Sequence, residues 1–422
     1  MKPRTENPNA MSTFLRLAAP ASLAAALLAP ASADETVSPP EAIELGDRPA
    51  ALAAGLPPGE LRDALVGCDV SDVRPTPFSI GHRGAPLGYP EHTREGYLAA
   101  ARQGAGIVEC DVTFTADREL VCRHSQCDLH TTTNILETDL AGKCHVPPDP
   151  SSDVPWAEAR CCASDLTLAE FRTLRGKADA GDPEATTLEA YLAGGLDPEA
   201  AAARGTLMTH AESIRLFDAL GVGMTPELKE ALVEPEAGAD GPFTRAMQAD
   251  RLLEEYRDAG IDPARVWPQS FEEEDVARWL GTAPDFAGQV VLLDDRYEGL
   301  GFDPGDPSTW SPDMDELAAS GLRHLAPPFW VLVTLDATGG IVPSAYAKAA
   351  RGAGLELIAW TLERSGSLAE GRGGWYFQSV AEAIDDDADA LVLLDALARE
   401  VGVAAVFSDW PATTTFYAHC RG

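Results

Sequence analysis

Eight short apolar runs, each separated from the next by a longer polar or amphipathic stretch, limit this chain more than any other feature of it. They fall at 78–83, 107–112, 222–229, 266–271, 290–293, 323–326, 355–361 and 404–408. Short runs of this kind suit buried parallel strands, and a 3.6-residue periodicity between them suits crossover helices. That periodicity is plain at 94–103, 243–259 and 346–352, and Thr209 with Glu212 forms a Thr-x-x-Glu capping box ahead of another helix. Eightfold strand–helix alternation favours an α/β fold of the (β/α)8 TIM-barrel class. The runner-up is an open doubly wound sheet, but no Gly-rich phosphate fingerprint follows the first strand.

One further run, 120–124, breaks the alternation. It follows the second strand after a short turn containing Ala116-Asp117-Arg118. A parallel partner needs a crossover of about a dozen residues or more. The run is therefore expected to fold back antiparallel, which brings His124 to the carboxyl end of the second strand, where barrel active sites lie. Residues 125–205 then form a long insertion with helical patterns at 166–174 and 187–193 and with Cys127, Cys144, Cys161 and Cys162. Such a loop is either a lid or specificity element or a disulfide-tied decoration. A shorter insertion follows the seventh strand at 371–378.

Residues 1–33 read as a signal peptide, with Met11 a plausible start, Arg16 as the positive region, an Ala/Leu-rich run at 17–28, and Ala31-Ser32-Ala33 as a cleavage site. Residues 34–76 form an N-terminal arm, rich in Pro, Ala and acid, which reads as an extended linker; 77–422 form the barrel. The expected location is secreted or periplasmic. The formal charge is −35, and removal of 1–33 with its net +2 leaves −37. Such a surface repels nucleic acid and anionic membranes, and no later stretch has the apolar length for stable membrane insertion. Eight cysteines in an exported chain suggest disulfides; no Cys-x-x-Cys pair occurs, and the adjacent Cys161 and Cys162 suit no common zinc spacing.

The chemistry gathers at the strand ends. Glu109 and Asp111 alternate along one strand and so share a face, while Cys110 turns to the helices. Two carboxylates on a buried strand repel each other and lose hydration, and a divalent cation is the natural remedy. Oxygen-only ligation favours Ca²⁺ or Mg²⁺ over zinc. Glu227 and Lys229 repeat the spacing on the third strand: Glu227 can complete the metal site and Lys229 can hold a phosphate oxygen, although a surface ion pair is the bland reading. His82 and Arg83 close the first strand, suited to acid–base work and bidentate phosphate binding, with Gly84 allowing close backbone approach. His124 is the second acid–base candidate. Glu91 stands at the start of the next helix as a supporting acid. The remaining histidines, His92 aside, read as structural or solvated, His324 least securely because it lies on a barrel strand.

The ordered set His82-Arg83-Gly84, Pro90-Glu91-His92-Thr93, Glu109-x-Asp111-Val112, Thr115-Ala116-Asp117, His124, Glu227-x-Lys229, Ser270-Phe271, Trp360-Thr361 and Ser408-Asp409-Trp410-Pro411 resembles the glycerophosphodiester phosphodiesterase family. The resemblance implies a (β/α)8 barrel, one divalent metal on Glu109, Asp111 and Glu227, catalytic His82 and His124, phosphate contacts from Arg83 and Lys229, and an aromatic residue near the substrate at Trp360. It further implies cleavage of a glycerophosphodiester to glycerol 3-phosphate and an alcohol, through attack by the neighbouring glycerol hydroxyl. His92 stands where the family commonly has Asn, Ser125 where it has Asp, and His130 where it has Arg. Two other readings compete. A lysophospholipid or phospholipase D-like hydrolase would need an acyl groove, for which Phe329, Trp330, Trp375, Tyr376 and Phe377 are candidates. A non-catalytic ligand-binding barrel would lack a histidine or a metal carboxylate, and none is missing.

Overall fold

The computed structural model describes residues 37–196, 198–234, 241–371 and 373–422. The expected signal peptide lies outside the described residues. The nine strands of the main sheet are β1 (Thr76–Gly81), β2 (Ala105–Phe114), β3 (Leu120–Cys122), β4 (Gly223–Leu228), β5 (Gln269–Ser270), β6 (Val291–Leu293), β7 (His324–Ala326), β8 (Glu356–Leu362) and β9 (Ala405–Ser408). Eight of them pair in parallel in the order β1-β9-β8-β7-β6-β5-β4-β2, and β2 pairs back onto β1 to close a barrel. Each falls within the apolar run that marks it in the sequence or within a few residues of it. The ninth, β3, lies antiparallel on the end of β2, with Val112 opposite Cys122 and Phe114 opposite Leu120, as the short turn requires.

The barrel interior is filled by Ile80, Ile107, Val291, Leu293, Ala326 and Phe407, with Trp267, Phe271 and Trp360 packed against them. Helix starts follow local chemistry. Thr93 Oγ1 accepts from Gly96 N at the head of helix Arg94–Arg102, and Thr209 and Glu212 make the reciprocal capping box before helix His210–Leu220. Gly84 has φ of +98°, and a Cβ there would come within 2.9 Å of the Gly96 carbonyl carbon, so only glycine lets β1 turn into this loop.

The segment that reads as an extended linker differs from that expectation. It carries two short helices, Arg48–Gly55 and Glu60–Val66, which bury Leu52, Ala53, Leu56 and Leu65. Their apolar residues are Ala and Leu spaced too briefly to give a long periodic signal; packing on the C-terminal helix Ala412–Arg421 makes them helical. All eight cysteines are paired, as Cys68–Cys420, Cys110–Cys122, Cys127–Cys162 and Cys144–Cys161. The insertion has a small core of its own, including Leu129, Ile135, Leu166, Phe171 and Tyr191, beside which its two disulfides sit.

Cys68–Cys420 closes a loop of 352 residues and ties the N-terminal helices to the last one. A cross-link of that span removes much of the freedom of the unfolded chain. Replacing both residues by Ser should lower the unfolding free energy by about 2–5 kcal/mol. Denaturant unfolding of the two proteins measures this.

Candidate active site

Strand register assembles the acidic residues. Asp111 on β2 lies directly beside Glu227 on β4, and Glu227 lies beside Gln269 on β5. Glu109, two residues back along β2, points to the same side. The three carboxylates Glu109, Asp111 and Glu227 are buried, and each offers an oxygen within 4.8 Å of the others. At that spacing each pair of charges repels by roughly 3 kcal/mol at an effective dielectric of about 20. Burial, and then the neighbouring carboxylates, push Glu109 well above the usual range; burial also lifts Asp111, against Lys229 and Arg83. Burial pushes Glu227 up to about 7 although Lys229 pairs with it.

Cations and donors surround the acids without balancing them. Arg83 donates its backbone N–H to Glu109 Oε2 at 2.8 Å and its Nη1 to Glu91 at 3.1 Å, and its Nε stands 3.9 Å from Asp111. Arg364 bridges Asp409 at 3.0 Å and Glu91 at 3.4 Å. Burial raises Glu91, but Arg83 and Arg364 hold it below the usual carboxylate range. Among the described residues the ion-paired groups number five carboxylates (Glu91, Glu109, Asp111, Glu227, Asp409) against three Arg/Lys cations (Arg83, Lys229, Arg364), with a fourth, the buried Arg123, donating to the Glu91 carbonyl. The surplus of negative charge and the buried Asp111 Oδ1, which has no hydrogen-bond partner, fit a hard divalent cation held by oxygen atoms.

His82 Nδ1 lies 2.5 Å from Asp409 Oδ1, and its Nε2 faces the acids, 3.9 Å from Glu109. Asp409 therefore fixes the ring so that Nε2 is left for chemistry. Burial lowers the His82 pKa and Asp409 partly restores it; burial, with Arg83 and Lys229 nearby, lowers that of His124 further. His124 follows the β3 hairpin and lines a cavity of about 340 Å³ together with Glu227, Lys229, Ser270 and Phe271. The disulfide Cys110–Cys122 ties the strand of Glu109 and Asp111 to the hairpin that carries His124. Both sulfurs face away from the acids, as the alternation along β2 demands.

Of the residues singled out in the sequence, His82, Arg83, Glu91, Glu109, Asp111, His124, Glu227 and Lys229 converge at this end of the barrel. Trp360 stands one ring further out: its indole N–H donates to Ala326 O at 2.7 Å and its ring meets Phe271 edge-on at 6.0 Å. Four contributors went unassigned. Asp409 and Arg364 follow the last two strands, a position that itself marks a barrel mouth. Gln269 donates to Glu109 Oε1 at 2.8 Å. His92, buried with φ of +52°, lies 2.9 Å from Asp111 Oδ2 and 3.0 Å from the Tyr97 hydroxyl, beside the acids rather than merely near them. His324 caps the other end of its strand, with Nε2 3.2 Å from Gly288 O. Among the described residues of the insertion, Ser125 alone lines this cavity. Of the five acyl-groove candidates, Phe329 and Phe377 are core residues.

The raised Glu227 gives a test. Its ordinary pKa of 4.5 rises to about 7 in the fold, so between those values the folded state holds a proton that the unfolded chain has lost. This group's contribution therefore falls as pH rises through that window. In chelator, melting temperature should fall more from pH 5 to pH 7 for the wild type than for Glu227→Gln. Millimolar Ca²⁺ or Mg²⁺ should restore the wild type at pH 7 and not the variant.

Residues 82–272 match the model of the glycerophosphoryl diester phosphodiesterase family, a span that opens on His82 and takes in every acid of the triad. An "Extracellular protein" of Arthroderma benhamiae is 41% identical over 251 residues, 57% of this chain and 98% of that protein. A Mycobacterium tuberculosis relative, "Probable glycerophosphodiester phosphodiesterase 1", is 50% identical over 50 residues, 12% of this chain and 18% of the relative. Among solved structures, one of the glycerophosphoryl diester phosphodiesterase type from Silicibacter pomeroyi shares the fold with a TM-score of 0.53 at 21% identity, covering 82% of this chain and 95% of its own. The chain belongs to the glycerophosphoryl diester phosphodiesterase family.

Proposed function

We propose that this phosphoric diester hydrolase is an exported, divalent-metal-dependent glycerophosphodiester phosphodiesterase. The observation that carries the reading is the convergence of two imidazoles, His82 backed by Asp409 and His124 on its hairpin, around three buried carboxylates. Glu109, Asp111 and Glu227 would hold one Ca²⁺ or Mg²⁺. When bound, such a cation neutralises phosphate charge and polarises a phosphoryl oxygen. Arg83 and Lys229 bind the phosphate oxygens, Arg83 as a fork and Lys229 as a point charge. One imidazole takes the proton of the neighbouring glycerol hydroxyl as its oxygen bonds to phosphorus. The other gives a proton to the departing alcohol oxygen as the second ester bond breaks. With the roles reversed, water opens the cyclic phosphate to glycerol 3-phosphate.

Export is supported by the leader-like sequence at 1–33, by the four disulfides and by the name of the fungal relative. Among the described residues no helix is long and apolar enough to cross a membrane. A lysophospholipid substrate is less favoured, because Phe329 and Phe377, two of the five acyl-groove candidates, are committed to the core.

His124→Ala should keep the fold and divalent-cation affinity while lowering kcat on glycerophosphocholine by about 10²–10⁴-fold. A diester with a p-nitrophenol leaving group separates the two histidines. The variant lacking the proton donor should recover most of its rate on that substrate, because the leaving group no longer needs a proton. If neither His82→Ala nor His124→Ala slows turnover, the acid–base pair is wrong. Exhaustive chelation should abolish hydrolysis, and Ca²⁺ or Mg²⁺ should restore it.

A further inference from the structure

His92 takes no part in the mechanism above, yet its imidazole touches a carboxylate of the triad. It precedes Thr93, which caps helix Arg94–Arg102, and Tyr97 follows one turn into that helix. The two occupy the positions flanking a helix N-terminus where side chains commonly pack together. Here the pair is polar. Both residues are fully buried, their rings meet edge-on at 6.2 Å, and His92 Nδ1 lies 3.0 Å from the Tyr97 hydroxyl. Phe217 packs edge-on against Tyr97 at 4.8 Å and holds it in place. The backbone is left-handed at His92 and its N–H donates to Arg83 O at 3.0 Å, which turns the ring toward β2. Nε2 then stands 2.9 Å from Asp111 Oδ2.

A second observation concerns what the acids have left over. Glu109 has a donor on each oxygen, the Arg83 backbone N–H on Oε2 and Gln269 on Oε1, and Glu227 pairs with Lys229 through Oε1. Asp111 differs. Its Oδ2 receives His92, with Arg83 Nε 3.9 Å away, while its Oδ1 is buried and has no hydrogen-bond partner. A carboxylate accepts hydrogen bonds, so Nε2 carries the proton, and in the neutral ring Nδ1 accepts from the Tyr97 hydroxyl. The chain Tyr97–His92–Asp111 thus fixes one oxygen of the carboxylate and leaves the other uncommitted. We propose that His92 is a positioning residue for the cation: held by Tyr97, it grips Asp111 Oδ2 from behind so that Oδ1 is presented to the metal. The inference rests on the proposed metal site. Hydrogen bonds of this kind behind a ligating group set its orientation and tune its affinity. A ring that only filled space would need no nitrogen at either end, whereas both nitrogens are engaged here.

The test is calorimetric titration of the chelator-treated full chain with Ca²⁺ and with Mg²⁺, which reads the site without turnover. His92→Phe keeps a flat ring and removes both nitrogens; it should weaken cation binding by about 10–100-fold. Tyr97→Phe removes a single oxygen and should weaken it by about three- to tenfold. His92→Asn restores an N–H donor on a residue that tolerates the left-handed backbone, and should recover most of the affinity. Unchanged affinity in His92→Phe or, should that variant not fold, in Tyr97→Phe overturns the positioning role. So does a His92→Asn that binds no better than His92→Phe. A lower melting temperature in chelator with affinity intact, the pattern of a packing residue, overturns it too. A wild type that binds neither cation overturns the metal reading itself, and this inference with it.

Discussion

Three carboxylates held within 4.8 Å of one another, inside a barrel and away from water, are the constraint that the rest of this site answers to. Their mutual repulsion, several kcal/mol in sum, does not relax by rotation, because strand pairing sets Asp111 beside Glu227 and the β2 pleat sets Glu109 on the same face. The surroundings are built accordingly. Arg83 spends its backbone N–H on Glu109 and its side chain between Glu91 and Asp111, and it adopts φ of +54° in doing so. Gln269 supplies a neutral donor where another cation would not fit. Even so, the ion-paired ring keeps more carboxylates than cations. A protein selected for stability alone would not retain that surplus in its interior. It suits a site whose three carboxylates could hold a divalent cation.

The same constraint explains the outgrowth on β2. A barrel strand can aim only alternate residues at the mouth, and β2 has used two of them on Glu109 and Asp111. A further side chain at the mouth has to come from elsewhere, and the hairpin made by the antiparallel β3 delivers His124. The hairpin is held at both levels, by the register of Val112 against Cys122 and by the Cys110–Cys122 bridge on the outer face. The insertion that follows packs on its own core and, among its described residues, presents Ser125 alone to the cavity. Its disulfides brace the hairpin's exit more than they cover the mouth. A ring cluster of Tyr297, Trp330 and Trp375 comes instead from the loops after β6, β7 and β8.

Much of this was legible in the sequence, for reasons that can be named. Strands buried on both faces read as short apolar runs, so all eight barrel strands were visible, and the turn at 116–118 was too short for anything but a hairpin. The alternation of Glu109, Cys110 and Asp111 gave both the shared carboxylate face and the disulfide face. What stayed hidden depends on distance along the chain. Asp409 reaches His82 across 327 residues, and Arg364 reaches Glu91 across 273. No local pattern announces such a pair. The N-terminal helices were hidden for a different reason, since they are too short to be helical without the surface they pack on. His92 was visible as a departure but not as a neighbour of Asp111, because only a left-handed backbone at that residue turns its ring inward.

The two imidazoles are not equivalent, and the difference bears on how the proposed reaction acquires its one shuttling proton. His82 has a carboxylate partner, so an added proton on it is stabilised by Asp409. Among the described residues His124 has none; besides burial, the groups that act on it most are Arg83, Lys229, His92 and Arg364, all of which oppose its protonation. Without substrate it is therefore neutral at neutral pH. A phosphodiester seated between Arg83 and Lys229 offsets the two nearest of those charges and brings its own negative charge close to the ring. Both changes raise the proton affinity of His124. The site need not hold a charged histidine in reserve in a buried position, which would be costly. Binding of the anion itself creates the potential in which the second imidazole can carry the proton that the departing alcohol requires.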